Sequence, residues 1–191
     1  MPHHRIPAAV LAATLSLGLT LGMVAAPAQA ETRTIIDKKG DGSNGAGGGG
    51  PHKYGDIGAV RVKHGVGLAY FRVFAAEGGQ LADFYEIWID INAADPGPER
   101  VIDWSAEVQD ADVHRTGAFG VKGPEVDCEI VRQRRIRQGI RVVVRRGCLR
   151  RLDGTLPARI RVAVQTSMEY EVADWAPAVR RFGPWIASSA S

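Results

Sequence analysis

The sequence predicts an all-β fold: an antiparallel, jelly-roll-like β-sandwich of about eight strands with one disulfide. Three observations predict it. Apolar and polar residues alternate with period two through most of residues 56–166, the pattern of a strand with one face in a core and one in water. Glycine- and proline-bearing turn signals separate the alternating runs. No window of about 11 residues keeps the apolar spacing of an amphipathic helix. The composition, 45 % hydrophobic and 24 % charged over 191 residues, is that of a globular chain and excludes a wholly disordered one.

Residues 1–30 read as a signal peptide. His3, His4 and Arg5 precede an uncharged apolar run from Ala8 to Ala26, and Pro27-Ala28-Gln29-Ala30 supplies the small-x-small site of a signal peptidase. Cleavage is expected after Ala30, which would leave a secreted protein without a transmembrane anchor. Residues 31–55 are expected to hold an N-terminal strand, Thr32–Asp37, and a flexible loop. In residues 40–51, GDGSNGAGGGGP, seven of the first eleven are glycine, the residue with most backbone entropy to lose on ordering.

The sandwich domain is expected over 56–187. Val60 and Val62 alternate with Arg61 and Lys63; Ala69, Phe71, Val73 and Ala75 share one face of the next run. Tyr85, Ile87, Ile89 and Ile91 form a third apolar face, with Phe84, Glu86, Trp88 and Asp90 opposite. Val142 and Val144, then Ile160, Val162 and Val164, complete the series. Turns fall at Glu77-Gly78-Gly79, Asp95-Pro96-Gly97-Pro98, Gly117, Gly123-Pro124, Gln138-Gly139 and Asp153-Gly154. Residues 188–191 are expected to be a disordered tail.

Cys128 and Cys148 are the only cysteines, and in an exported chain an even pair reads as a disulfide. A three-residue loop Arg137-Gln138-Gly139 would place Ile136 opposite Ile140 and Cys128 opposite Cys148. That register also puts Arg132 and Arg134 on the cysteine face, so it requires either a bulge or a hairpin that projects beyond the sandwich.

Charge is segregated. Residues 77–112 carry ten acidic groups against Arg100 alone, and residues 128–151 carry nine arginines against Glu129 alone. One expectation is that these segments neighbour each other and neutralise across strands. The other is a basic surface, with Arg132, Arg134, Arg135, Arg137, Arg141 and Arg145, for an anionic wall polymer. The overall charge of +3 is too small to specify a partner, and an exported chain is not expected to meet nucleic acid.

Two constellations carry candidate chemistry. Asp37, Asp41 and Asp56 flank the glycine-rich loop, and three carboxylates with loop carbonyls suit Ca²⁺, a hard cation that takes oxygen ligands. Trp88 shares a strand face with Glu86 and Asp90, so an exposed indole would stack on a sugar ring while the acids bind its hydroxyls. Trp104 reads as core; Trp175 and Trp185 read as anchors for the C-terminal segment. No His-Glu-x-x-His, Gly-x-Ser-x-Gly or P-loop motif occurs, so no enzyme is expected.

The Asp37-x-x-Gly-Asp41 opening followed by Asp56-Ile57 resembles small secreted β-sandwich modules, distantly those of the DOMON and family 9 carbohydrate-binding type. The Glu86-Ile87-Trp88-Ile89-Asp90 strand, Cys148-Leu149 and the closing Asp174-Trp175-Ala176-Pro177…Pro184-Trp185 resemble secreted proteins of high-GC Gram-positive bacteria. The resemblance covers most of residues 32–187. It implies the sandwich and no particular function. The expected function is an exported, non-catalytic binding module for cell-wall carbohydrate or an anionic wall polymer. The alternatives are a structural or protein-interaction domain of the envelope and, least supported, a hydrolase.

Overall fold

In a computed structural model, described for residues 30–38, 40–41, 54–168 and 171–189, the chain forms eleven strands and one 3-10 turn. The signal-peptide reading of 1–30 lies outside the described residues except for Ala30, as does the glycine-rich loop from 42 to 53. In chain order the strands are β1 (Glu31–Ile36), β2 (Ile57–His64), β3 (Leu68–Ala75), β4 (Phe84–Asp90), β5 (Arg100–Ser105) and β6 (Ala111–Arg115). They continue as β7 (Ile130–Ile136), β8 (Gly139–Arg145), the 3-10 turn Arg146–Leu149, β9 (Arg159–Met168), β10 (Glu171–Ala176) and β11 (Ile186–Ala187). The expected eight strands between Asp56 and Thr166 are β2 to β9.

The strands form two antiparallel sheets. Sheet I has the order β1-β2-β3-β8-β7, and sheet II the order β10-β9-β4-β5-β6 with β11 added on β9. The sheets face each other over one core. Val60, Val62, Phe71, Val73, Ile140, Val142 and Val144 point in from sheet I; Tyr85, Ile87, Ile102, Trp104, Ile160, Val162 and Val164 point in from sheet II. These are the apolar halves of the alternating runs, so period two selects the buried face directly. β1 is the edge strand of sheet I among the described residues, so the strand expected ahead of the 56–187 domain is part of the sandwich.

Sheet II is covered on its outer face as well. Trp88, Val101, Ala163 and Trp175 form a second cluster there, under Phe119 and Phe182. Phe119 comes from the β6–β7 connection, and Phe182 from the segment after β10. That C-terminal segment is tied to the fold at Ser188 and Ser189. The backbone N–H groups of Ser188 and Ser189 donate to the carbonyls of Ala158 (2.8 Å) and His64 (3.3 Å). For Ser188 and Ser189 the expected disorder is corrected, because these backbone groups are satisfied by the fold; residues 190–191 lie outside the described residues.

The β7–β8 hairpin turns through two residues, Arg137 and Gln138, with Ile136 opposite Gly139. The three-residue loop is corrected by one position. Gly139 allows this tight turn beside β3: a Cβ there would lie 1.7 Å from the Val73 carbonyl oxygen. A bulge between Ile130 and Arg132 then shifts the register. An extra residue in one strand reverses side-chain parity, so Ile130 packs against the core while Arg132 and Arg134 are exposed. The bulge resolves the conflict between the arginines and the disulfide. Cys128 and Cys148 are bonded, with Cα atoms 5.4 Å apart, and Cys148 sits in the 3-10 turn and not in the strand.

Candidate functional site

The expected sugar platform is absent. Trp88 is 0 % exposed and packs edge-on to Phe119, ring centroids 5.6 Å apart; Phe119 packs in turn on Trp175 at 5.5 Å. Asp90, also fully buried, accepts from Arg161 Nε at 2.7 Å and from the Asn92 N–H at 2.9 Å. Glu86 pairs with Lys122 at 2.8 Å. The ligand role assigned to Trp88, Glu86 and Asp90 is therefore corrected: the β6–β7 and C-terminal segments cover the polar-parity face of β4. Trp185 does serve as an anchor, with the guanidinium groups of Arg159 and Arg161 at 4.8 and 4.7 Å from its ring centre.

Across-strand neutralisation of the acidic and basic segments is also absent. β4, β5 and β6 lie in sheet II, and β7 and β8 in sheet I, so the two segments share no ladder. They touch at isolated points, such as the Gln133 amide, which donates to the Asp110 carboxylate. Four arginines of the basic segment are held by nearby acceptors. Arg146 donates to the Pro157 carbonyl at 2.6 Å, Arg150 to the Gly154 carbonyl at 2.7 Å and Arg151 to the Ile91 carbonyl at 3.0 Å. Arg145 pairs with Glu129 at 2.8 Å.

The outer face of sheet I gathers Arg132, Arg134 and Arg141 with cations of β2 and β3. Arg134 stands opposite Arg141, Arg141 opposite Arg72, and Arg72 opposite Arg61. One cross-strand row thus holds four arginines and ends on Thr34 of β1. At the usual strand spacing such a row spans about 14 Å. A second row runs Arg132, Val143, Tyr70, Lys63, Thr32, with the Lys63 ammonium 5.7 Å from the Tyr70 ring centre. Arg61, Lys63, Tyr70 and Arg72 with Thr32 line a shallow groove of about 410 Å³. Among the described residues none of these cations has a carboxylate within ion-pair distance, and the Arg141 Nε–H is buried without an acceptor.

The predicted basic patch is thus divided. Arg132, Arg134 and Arg141 lie on this face. Arg135 and Arg137 border a separate depression at the hairpin end with Gln80 and Leu81. Arg61, Lys63 and Arg72 were missed. Their outward parity was readable, but their alignment with Arg141 depends on the pairing of β3 with β8.

The acidic opening converges with a residue far along the chain. Carboxylate oxygens of Asp37, Asp41 and Asp174 lie within 4.8 Å of one another. Asp56 borders them and accepts from the Gly40 N–H at 3.1 Å. Burial raises the Asp37 carboxyl above its ordinary range, and repulsion from Asp174 and Asp41 adds to this. Burial likewise raises Asp174, against the backbone hydrogen bonds it accepts. The expected third ligand, Asp56, is adjacent, and Asp174 takes its place in the cluster.

A third feature is a cleft of about 660 Å³ at one end of sheet II, lined by residues including Glu99, Arg115, Thr116, Arg151 and Asp153. Burial, with repulsion from Asp90 and Asp95, pushes Glu99 up to about 7. Its Oε2 accepts the Ile91 N–H at 2.8 Å. The adjoining Arg100 is committed to the carbonyls of Cys148 (3.1 Å), Glu99 (2.7 Å) and Arg150. Most polar groups here therefore hold their own loops.

The chain matches no protein-family model, no curated protein and no solved structure.

Proposed function

We propose that the protein is an exported binding module whose ligand is an extended polyanion of the cell envelope, carrying phosphate or carboxylate groups. The observation that carries this reading is the unneutralised row Arg134–Arg141–Arg72–Arg61 on the outer face of sheet I. Like charges directly opposite one another destabilise a sheet by roughly 0.2–1 kcal/mol per pair. Anions laid along the row offset that repulsion and accept charge-assisted, bidentate hydrogen bonds from guanidinium groups. The disulfide suits an oxidising compartment, and no helix among the described residues is long and apolar enough to cross a membrane. The burial of Trp88 removes the support for neutral-sugar stacking.

The test is co-sedimentation with purified bacterial wall, before and after extraction of its anionic polymers, at low and high salt. Retention that disappears on extraction or in high salt is expected, because exposed charges are screened within about 10 Å at 0.1 M salt. Salt-resistant retention on the extracted wall, or no retention at all, would contradict the reading.

A further inference from the structure

We propose that Asp37, Asp41 and Asp174 bind a calcium ion that joins the edge strands of the two sheets. Asp37 directly follows β1, the edge of sheet I, and Asp174 lies in β10, the edge of sheet II. Asp41 approaches from the loop after β1, where Gly40 takes a left-handed turn at φ 76°. Three carboxylates, two from the segment after β1 and one from β10, thus present oxygens within 4.8 Å of one another.

Proximity of acids alone would not make a site. The second observation is Asp37 itself. It is 6 % exposed, and neither of its carboxylate oxygens accepts a hydrogen bond. A buried carboxylate without donors avoids the cost of its charge by taking up a proton or by meeting a cation, and the all-acid surroundings of Asp37 suit an added cation. Among the described residues no lysine or arginine lies within ion-pair distance of Asp37, Asp41 or Asp174.

Asp174 is fixed in place. Its Oδ2 accepts the Ile57 N–H at 2.7 Å and its Oδ1 the Trp175 N–H at 2.7 Å, and each oxygen keeps a lone pair for a further partner. The bulge between Val172 and Asp174 sets the parity of Asp174 against the rest of β10. The donor set is all oxygen, which selects a hard cation over zinc or copper. Ca²⁺ accepts six to eight oxygens in loose geometry, whereas Mg²⁺ demands a near-ideal octahedron and keeps its waters.

The experiment uses the full chain stripped with EDTA, with Ca²⁺ and Tb³⁺ as probes and no polymer present, so its outcome is separate from that of the polyanion reading. Trp175 adjoins Asp174 in the chain and serves as the sensitiser for Tb³⁺ luminescence. Wild type is expected to show sensitised emission that CaCl₂ displaces. Its melting temperature should rise with calcium concentration in the range of extracellular sites, about 0.1–1 mM. Asp41→Asn changes an exposed ligand, leaves folding intact and should weaken binding at least about tenfold. Asp37→Asn should abolish binding while melting no lower than wild type in EDTA. Absence of emission and of a melting shift at about 10 mM CaCl₂ would overturn the proposal, as would unchanged binding by both variants or an equal response to MgCl₂.

Discussion

Trp88 shows how far one residue can be read. Alternation along β4 places it correctly on the face opposite Ile87 and Ile89, but parity does not reveal that Phe119 and Phe182 cover that face. Both covering residues arrive from irregular segments, which leave no periodic trace. Trp88→Ala should therefore destabilise the fold by about 3–5 kcal/mol, the usual cost of deleting a buried aromatic, measured as a shift in urea midpoint at constant slope. Asp174 is hidden for a related reason. It joins Asp37 only through the packing of β10 beside β2, a contact between residues more than a hundred positions apart in the sequence. Glu99 gives the residue-scale pH prediction. Its folded pKa of about 7 lies above the ordinary 4.5. The stability it contributes is full below pH 4.5 and is lost as pH rises to 7. Glu99→Gln should gain stability relative to wild type between pH 5 and pH 8 in thermal melts; a gap that stays constant or narrows would show that Glu99 is ionised throughout.

At the scale of elements, the hydrophobic pattern carries most of the fold. Strands β2, β3, β4, β8 and β9 announce themselves by alternation, and the turn residues separate them. Register is less legible, because it depends on loop length and bulges. The slip at Gly139 and the bulge near Val131 each shift pairing by one residue, and together they place Arg132 and Arg134 outside while Cys128 still reaches Cys148. Gly139→Ala should break the hairpin's contact with β3, since the added methyl meets the Val73 carbonyl oxygen at 1.7 Å; loss of amide-exchange protection in β7 and β8 is the expected readout. Cys148→Ser should cost roughly 3 kcal/mol by chain-entropy arithmetic for this loop, and reductant should reproduce the loss in wild type but not in the variant.

For the whole molecule, charge is sorted by sheet. Acidic residues concentrate on sheet II strands, where Lys122 and Arg161 pair with Glu86 and Asp90. On the outer face of sheet I, Arg61, Lys63, Arg72, Arg132, Arg134 and Arg141 have no carboxylate within ion-pair distance among the described residues. The segregation was visible along the chain, but only the sheet order shows that the two blocks lie in separate layers. On the proposed polyanion reading, such a surface trades stability for binding. Arg72→Glu should stabilise the fold at low salt, by roughly 0.2–1 kcal/mol for each like-charge pair relieved, while weakening polyanion binding. The most direct test is the affinity of the oxidised protein for polyphosphate and polygalacturonate, measured by fluorescence anisotropy across a NaCl series, for wild type and Arg72→Glu/Arg141→Glu. Affinity that falls steeply with salt and drops at least about tenfold in the double variant is predicted from the loss of charge-assisted contacts. Salt-independent binding, or equal affinity of wild type and variant, would contradict the arginine row as the binding surface.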